Sequence, residues 1–595
     1  MCGIVACRLT GGAEEFLLPA LRRLEYRGYD SAGIAVTGPG QGGPHTVRAV
    51  GRLDALLGRL SARPLPTGLG IGVGHTRWAT HGVVSEANAH PHRDCSGSVA
   101  VVHNGILDNA DQLRAELTRR GHRFSSEVDS EVVAHLVEEA GAGRLVDAVR
   151  TAVRQLHGSW ALAVTSGRTA EVVLACQRSP LVVGLAEDGY VAASDLTALL
   201  GTVGHVHVLQ DGDIVELTDK ISWTDGHGAA LPPRPPVTVD WAAEDAETGV
   251  YEDFMEKEIA EQPAAARRLL ERLLPQIVDG RLWAGLGLPP VPAVRFVACG
   301  SSLHASAAAA RVFRRVAGLP TTVAVASEFE PEPGFPDHGL TVAVSQSGET
   351  ADVLSAVEAV PGPLLAITNS PSSSLARRAD AVLDCTAGPE IGVAATKTFT
   401  TQVIGGAALG LAVAAAFGRA SPAAVTAHVA ALARLPDLLD AAQLTSFPVA
   451  DALADDLADA PGFFFVSRGA GLPYAAEGAL KLKEITYRWA EGIAAGELKH
   501  GPIALIDEST PVVVVDSGSR TRLNGAAAEM RARGARIIRV GAEPEATFPV
   551  LAADEPPWGP LESVVALQHL ARSLAITLGR DTDKPRNLAK SVTVL

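Results

Sequence analysis

The sequence predicts an α/β protein in three parts. Stacked sheets flanked by helices occupy residues 1–225, and two duplicated α/β units with parallel sheets follow over 283–420 and 450–580. Three observations predict this. Short Val/Ile-rich runs alternate with turn signals through the first part, a Pro-rich stretch interrupts the pattern, and strand–turn–helix signals then recur at one spacing.

In the first part, Ser98-Val-Ala-Val-Val-His103 before Asn104-Gly105 reads as a strand ending at a turn, and helical stretches are expected around 14–24, 108–120 and 128–139. Leu231-Pro-Pro-Arg-Pro-Pro236 and the acidic segment from Asp240 to Glu258 mark a linker over 226–250. Beyond it, Arg295-Phe-Val-Ala-Cys-Gly300 is a strand running into a Gly/Ser turn and an Ala-rich helix. Phe463-Phe-Phe-Val-Ser-Arg-Gly469 repeats it, 469 − 300 = 169 residues later. Thr341-Val-Ala-Val-Ser-Gln-Ser347-Gly348 is echoed by Val512-Val-Val-Val-Asp-Ser517-Gly518, at 517 − 347 = 170. Leu364-Leu-Ala-Ile is echoed by Arg536-Ile-Ile-Arg-Val540. Two offsets agreeing within one residue argue for duplication.

The bulk numbers exclude several classes. At 595 residues the chain exceeds one core. A net charge of −16 with no basic block argues against nucleic-acid binding. The six Cys show no paired metal-ligand spacing, which argues against a zinc site or disulfide framework. The longest apolar run, Val403 to Phe417, is 15 residues, short of the roughly 20 a membrane span needs, so a buried helix is expected. With no basic, cleavable leader, a cytoplasmic protein is expected.

Cys2 directly follows Met1. If Met1 is removed, one residue carries both a thiol and a free α-amine, whose pKa of about 7.7–8.0 lets it take the thiol proton. Downstream lie Glu25-Tyr-Arg27-Gly-Tyr-Asp30-Ser-Ala-Gly33, Gly74-His-Thr-Arg77-Trp78-Ala-Thr80-His81-Gly82, and His103-Asn104-Gly105-Ile106 with Asp129 beyond. Each alone is an ordinary turn sequence. Together they supply amide hydrolysis of an amino acid. The thiolate attacks the carboxamide carbon, the Asn104 side chain and Gly105 N–H stabilise the oxyanion, Arg77 grips an α-carboxylate and Asp129 receives an α-ammonium.

In the second part, Ser345-Gln346-Ser347-Gly348-Glu349-Thr350 ends a strand and opens a helix. That is either a phosphate cradle or an ordinary Ser-rich cap, and without Lys or Walker spacing it implies no nucleoside triphosphate. Lys481 and Glu484, three apart, share a helix face, and His500 follows in a loop. A carboxylate and an imidazole suit the proton transfers of an aldose–ketose isomerisation, and a Lys can engage the carbonyl.

The runs CGIV, LRRLEYRGYDSAGIAV, GHTRWATHG, NAHPH and VVHNGI resemble the N-terminal-nucleophile glutaminases, most closely those of the glutamine–fructose-6-phosphate aminotransferase (isomerising), or glucosamine-6-phosphate synthase, family. The resemblance covers nearly the whole chain. It implies an αββα glutaminase sandwich over 1–225, two sugar-isomerase domains, and a 581–595 tail completing the sugar site. It makes Cys2 the nucleophile and Asn104 and Gly105 the oxyanion hole. Arg77, Thr80, His81 and Asp129 then bind glutamine, Arg27 lies near the nucleophile, and Trp78 gates the path of ammonia between sites. It puts sugar-phosphate contacts on Gly300, Ser301, Ser302, Ser345, Gln346, Ser347 and Thr350. The isomerisation base is Glu484, ring opening falls to His500, Lys481 and Val393 have supporting roles, and Lys590 meets the sugar carbonyl. The implied reaction converts glutamine and fructose-6-phosphate to glutamate and glucosamine-6-phosphate, without metal or organic cofactor, in a homodimer or larger homo-oligomer.

Two departures bear on the sugar. Leu303 stands where the family has an aromatic, and Ala395 replaces a Ser hydroxyl in Val393-Ala-Ala395-Thr-Lys397. They leave open a relative acting on another sugar phosphate; a sugar-phosphate-binding regulator is the non-catalytic alternative.

Overall fold

The computed structural model describes residues 2–38, 40–79, 81–141, 143–169, 171–239, 241–331, 334–517, 520–542, 545–550 and 556–592. Thr80, Asp240, Gly518 and the last three residues of the tail, 593–595, lie outside the described residues. The chain divides into two compact units, one of residues 1–247 with 589–595 and one of Thr248–Leu588.

In the first unit, among the described residues, eight strands form one antiparallel sheet, in the order Pro236–Thr238, His205–Val208, Val182–Ala186, Gly189–Ala193, Gly3–Leu9, Ile71–Arg77, Ser31–Thr37, His45–Val50. Six more form a second: Ile221–Thr224, Ile214–Leu217, Val172–Gln177, Gly158–Ser166, Val99–Leu107, His92–Arg93. Side-chain alternation builds the layers. On Gly3–Leu9, Ile4 and Ala6 join a core shared with Ala100, Val102, Ala161 and Ala163 of the other sheet, so this layer lies between the sheets. Val5 and Cys7 face the opposite way, onto the helices Ala13–Leu24 and Leu53–Ala62. Val99, Val101, Leu162 and Val164 likewise turn outward onto Ala110–Arg119, Glu131–Glu139 and Leu145–Val153. Both faces of each sheet are covered, which is the αββα sandwich. It explains why these strands read as continuous apolar runs rather than as alternating ones.

The strand expected to stop before Asn104-Gly105 continues to Leu107, pairing Asn104 with Ala161 and Gly105 with Trp160. The Asn-Gly pair is therefore a kink inside a ladder. Gly105 has φ 125°, and a Cβ there would stand 2.0 Å from the Ser159 carbonyl oxygen. The stretch 226–250 is also more than a linker, since Pro236–Thr238 pairs with His205–Val208 at the sheet edge, where a Pro without an N–H is tolerated.

The second unit carries the repeat. One five-stranded parallel sheet runs Thr321–Val325, Val294–Ala298, Leu340–Val344, Leu364–Thr368, Ala381–Asp384. The other runs Trp489–Ala494, Gly462–Ser467, Pro511–Val515, Arg536–Gly541, Phe548–Pro549. In both, the first strand in sequence lies second in space and the order then follows the chain. One continuous apolar core joins the two, from Met255 through Phe313 and Phe465 to Ala575. Its centre is the helix Lys397–Ala416, which packs on Gly300–Arg315 and Gln262–Leu273. This helix is long and apolar enough to cross a membrane, yet 89% of its most apolar window is buried inside the unit, as a core helix is. Helices Pro422–Ala433 and Leu435–Leu457, for which the sequence offered no expectation, connect the halves.

Candidate active sites

The first site gathers on the ends of Gly3–Leu9, Ile71–Arg77 and Val99–Leu107. The half-buried Cys2 Sγ lies 3.3 Å from the Trp78 backbone N–H, which donates to it, and 3.5 Å from the Trp78 carbonyl. Desolvation pushes the thiol above its usual pKa, opposed by that N–H and by the Arg77 charge. Asn104 Nδ2 donates to the Cys2 carbonyl at 3.1 Å, which places the amide NH₂ beside the nucleophile's own backbone.

His75, which the sequence reading passed over, fixes that amide. Its Nε2 is 3.0 Å from both Asn104 Oδ1 and the His103 carbonyl, so Nε2 must carry the proton and donate to two acceptors. Asn104 therefore presents its NH₂, not its oxygen, toward Cys2. His75 stacks on His90 at 4.0 Å, and His92 meets His90 edge-on at 4.5 Å. With His103 these four rings are buried. Desolvation pushes His75 and His92 down to about 3, and His90 and His103 also fall, so all are neutral near pH 7.

Arg77 Nη2 donates to the carbonyls of His81 and Gly82, whereas its buried Nη1 has no partner among the described residues. A buried guanidinium nitrogen left without an acceptor is what an incoming carboxylate would satisfy. Asp129 takes the Leu107 N–H on Oδ2 at 3.0 Å, and Ser130 Oγ, itself 2.8 Å from His103 Nδ1, donates to Oδ1 at 3.1 Å. His81 is exposed. Trp78 stands edge-on to Tyr29 at 5.4 Å. Arg27 is buried and ion-paired to Asp195, with its Nε donating to Tyr26 Oη at 3.2 Å, so its charge is already matched within the protein.

The second site is built across the repeat. Ser345 Oγ and Thr350 Oγ1 are 2.9 Å apart, Gly348 N–H donates to Ser345 Oγ, and Glu349 N–H to Ser347 Oγ. The loop closes under the helix Ala351–Glu358, with Gln346 O accepting from Asn369 N–H at 3.1 Å. Gly348 has φ 65°, and a Cβ on it would strike Ser373 Oγ at 2.0 Å, so this turn requires Gly.

A buried carboxylate joins the two halves of the repeat. Glu477 accepts Ser301 Oγ–H on Oε1 at 2.8 Å, has His304 Nδ1 at 2.8 Å from Oε2, and pairs with Lys481 Nζ at 3.5 Å. Lys481, also buried, reaches Glu484 Oε2 at 2.6 Å. Burial opposes charge on both Glu477 and Lys481. Their mutual attraction, with help from Glu484, Ser301 and His304, wins, so Glu477 falls below and Lys481 rises above its ordinary pKa. Gly300, Ser301 and Ser302 open the helix Gly300–Arg315, and Ser302 O accepts from Ser306 Oγ.

The segment carrying Val393 is held by its backbone. Val393 N–H donates to Asp583 O, Gly392 N–H to Glu258 Oε1 at 3.1 Å, and Thr396 and Thr398 N–H to Glu390 Oε1. His500 ends the turn Glu497–His500, exposed and without a polar partner among the described residues. Lys590 is half-buried and belongs by its contacts to the first unit, not to the one that holds Lys481.

Comparison with known proteins bears on both sites. Residues 75–201 match the glutamine amidotransferase domain family, and residues 292–412 and 456–548 match the SIS domain. Glutamine–fructose-6-phosphate aminotransferases (isomerizing) from Thermus thermophilus and Mycobacterium bovis are 43% and 42% identical to the chain, each over all of both proteins. The chain belongs to this aminotransferase family.

The C-terminal domain of the Francisella tularensis glucosamine-fructose-6-phosphate aminotransferase superposes on 57% of the chain and 99% of its own length, with TM-score 0.53 and 32% identity. Within this aminotransferase framework, Leu303 packs against the apolar core of the second unit. Its aliphatic side chain is partly buried there. Ala395 is half-buried. The residues missed, His75, His304 and Glu477, carried one available signal. Each sits one helical turn or one strand step from a residue already singled out: Arg77, Ser301 and Lys481.

Proposed function

We propose that this chain is a glutamine-dependent amidotransferase that converts fructose-6-phosphate and glutamine to glucosamine-6-phosphate and glutamate. With Met1 removed, the Cys2 α-amine takes the thiol proton and sulfur adds to the glutamine carboxamide carbon. Asn104 Nδ2 and the Gly105 N–H receive the oxyanion, the C–N bond breaks, ammonia leaves with the returned proton, and water cleaves the γ-glutamyl thioester. Arg77, Thr80, His81 and Asp129 hold the amino-acid end of glutamine, with Trp78 over the ammonia path. Arg27 supports the strand ends around Cys2 through Asp195.

Ammonia then condenses with the opened ketose at C2, expelling water. Glu484 moves the proton from C1 to C2, turning the ketimine into an aldose amine without net oxidation. His500 opens the ring, Lys590 meets the sugar carbonyl, and Lys481 and Val393 shape the site. The phosphate lies on Ser302, Ser345, Gln346, Ser347 and Thr350, with Gly300 and Ser301 at the neighbouring helix start. The tail 581–595 completes this site, and the working form is a homodimer or larger homo-oligomer, readable from its mass in solution.

The observation that carries the reading is the pairing of the Cys2 thiol and the His75-oriented Asn104 amide with a buried, unmatched Arg77 nitrogen. The test is product analysis from glutamine plus fructose-6-phosphate, with Cys2→Ala alongside. Glucosamine-6-phosphate formed by the wild type and lost in the variant supports it. Glutamate release without amino sugar would move the acceptor to another sugar phosphate.

A further inference from the structure

Away from both sites, on the outer side of the first unit, four side chains from three separate elements converge. Cys95 lies in the turn after the edge strand His92–Arg93. His122 follows the helix Ala110–Arg119, and His135 and Glu138 occupy adjacent turns of Glu131–Glu139. Cys95 Sγ is 3.7 Å from His122 Nδ1 and 3.5 Å from His135 Nδ1. Glu138 Oε2 is 3.1 Å from His122 Nδ1 and 3.5 Å from His135 Nδ1. All four ligand atoms fall within 4.8 Å of one another.

Four of the six separations, 3.1–3.7 Å, are close to the edges of a coordination tetrahedron, and the other two are no longer than 4.8 Å. With metal–sulfur bonds of about 2.3 Å and metal–nitrogen or –oxygen bonds of about 2.0–2.1 Å, a tetrahedral ion sets S···N near about 3.6 Å and N···O near about 3.4 Å. We infer that Cys95, His122, His135 and Glu138 form a closed tetrahedral site for a divalent cation of the zinc class. One thiolate, two imidazoles and one carboxylate favour a borderline ion over magnesium or calcium, which take oxygen ligands in larger number.

Groups behind the ligands hold them in place. Arg123 N–H donates to Cys95 Sγ at 3.3 Å, as amides do to a coordinated thiolate. His135 is almost wholly buried, and the Glu131 carboxylate lies 3.7 Å from its Nε2, beyond hydrogen-bond reach but close enough to balance charge on the ring nitrogen opposite the cluster. Glu131 is itself fixed by the N–H and hydroxyl groups of Ser125 and Ser126. Glu138 keeps its cluster oxygen aimed by accepting the Cys95 and Ser96 N–H groups, and Cys95 is exposed, which gives the ion a way in. Because the protein supplies all four ligands, the ion pins a turn, a loop and a helix rather than doing chemistry. The helix so pinned begins just after Asp129, so the ion stiffens one wall of the glutamine site.

The test uses the full chain without an affinity tag, in a Cys2→Ala background that removes the other partly accessible thiol of this unit. After chelator treatment, Co²⁺ is titrated in and followed optically. The expected result is saturation at one Co²⁺ per chain, with tetrahedral d–d absorption and a thiolate charge-transfer band. Cys95→Ser should abolish that band, and His122→Gln should weaken binding at least about tenfold. Zn²⁺ should displace Co²⁺ and raise the unfolding temperature of the parent but not of Cys95→Ser. No saturable binding, or a charge-transfer band that survives Cys95→Ser, overturns the site. Cys95→Ser changes an exposed side chain, so its folding, checked by circular dichroism, separates ligand loss from misfolding.

Discussion

Around Cys2 four imidazoles are buried uncharged, whereas Glu477 and Lys481 are buried as a charged carboxylate and ammonium, with Glu484 beside them. The first arrangement orients by directional hydrogen bonds, His75 to Asn104 and Asn104 to Cys2. The second orients by charge balance, with Glu477 tying Ser301 and His304 of one half of the repeat to Lys481 of the other. A site that must receive a developing oxyanion gains from neutral donors aimed in advance. On the proposed function, the second site moves protons along a sugar, and paired charges there hold Lys481 and Glu477 in a fixed arrangement around the substrate.

The largest expected effect breaks the charged side. Glu477→Ala leaves the buried Lys481 with Glu484 as its close partner and Glu390 farther off, and removes the acceptor of Ser301 and His304. A loss of about 3–5 kcal/mol in the second unit's stability is expected, the range for removing one partner of a buried pair. Denaturant unfolding followed by hydrogen exchange in 472–486 reads it. Glu477→Gln should recover part, because it keeps an acceptor for Ser301. Equal losses in the two variants would mean that the charge alone matters.

Next comes the neutral side. Asn104→Ala should lower kcat for glutamine hydrolysis about 10²–10³-fold with little change in KM, as expected for an oxyanion donor. His75→Ala acts only through Asn104 and should cost less, about tenfold for one misplaced hydrogen bond, again in kcat. If His75→Ala matched Asn104→Ala, the imidazole would be touching the reacting atoms and not merely orienting the amide.

Acid distinguishes the two regions without mutation. Unfolded histidines take up protons near about pH 6.5, but His75 and His92 do so in the fold only at about 3. The unfolded state therefore binds more protons throughout that window. The stabilisation, complete above about 6.5, falls with pH by about 1.4 kcal/mol per unit for each of these two. In the second unit His569 is held at about 4 and adds one such slope, while the lowered Glu477 begins to lose its contribution only below its ordinary 4.5. Between about pH 6.5 and 5, hydrogen exchange should accelerate more in 71–107 than in 472–486. The opposite order would mean that the imidazole cluster is already protonated in the fold.

The same contrast explains what could be read in advance. The repeat was legible because each half restates a local strand–turn–helix signal, and Thr341-Val-Ala-Val and Val512-Val-Val-Val mark equivalent strands. Lys481 and Glu484 were legible because helix periodicity alone makes them neighbours. Glu477 was not, because its partners Ser301 and His304 stand 176 and 173 residues away and only the packing of two helices joins them. Asn104-Gly105 reads locally as a turn, because the feature that keeps it in the ladder, contact with Ser159, lies on another strand. Of Cys95, His122, His135 and Glu138 only the last two share a helical spacing, and the four meet only once a turn, a loop and a helix have docked.

The smallest effect addresses the departure at Ala395. Its neighbours are pinned by Glu258, Glu390 and the Asp583 carbonyl, so a side chain added there cannot easily shift the backbone. Ala395→Ser therefore adds a hydroxyl to a fixed frame. One net hydrogen bond contributes about 0.5–1.5 kcal/mol, so KM for fructose-6-phosphate should fall by up to roughly tenfold while glutamine hydrolysis stays unchanged. An unchanged KM would mean that the missing hydroxyl is already compensated within the site. A raised KM, with improved turnover of a different ketose phosphate, would mean that Ala395 makes room for a group fructose-6-phosphate does not carry, and that the frame around it is tuned to that other sugar.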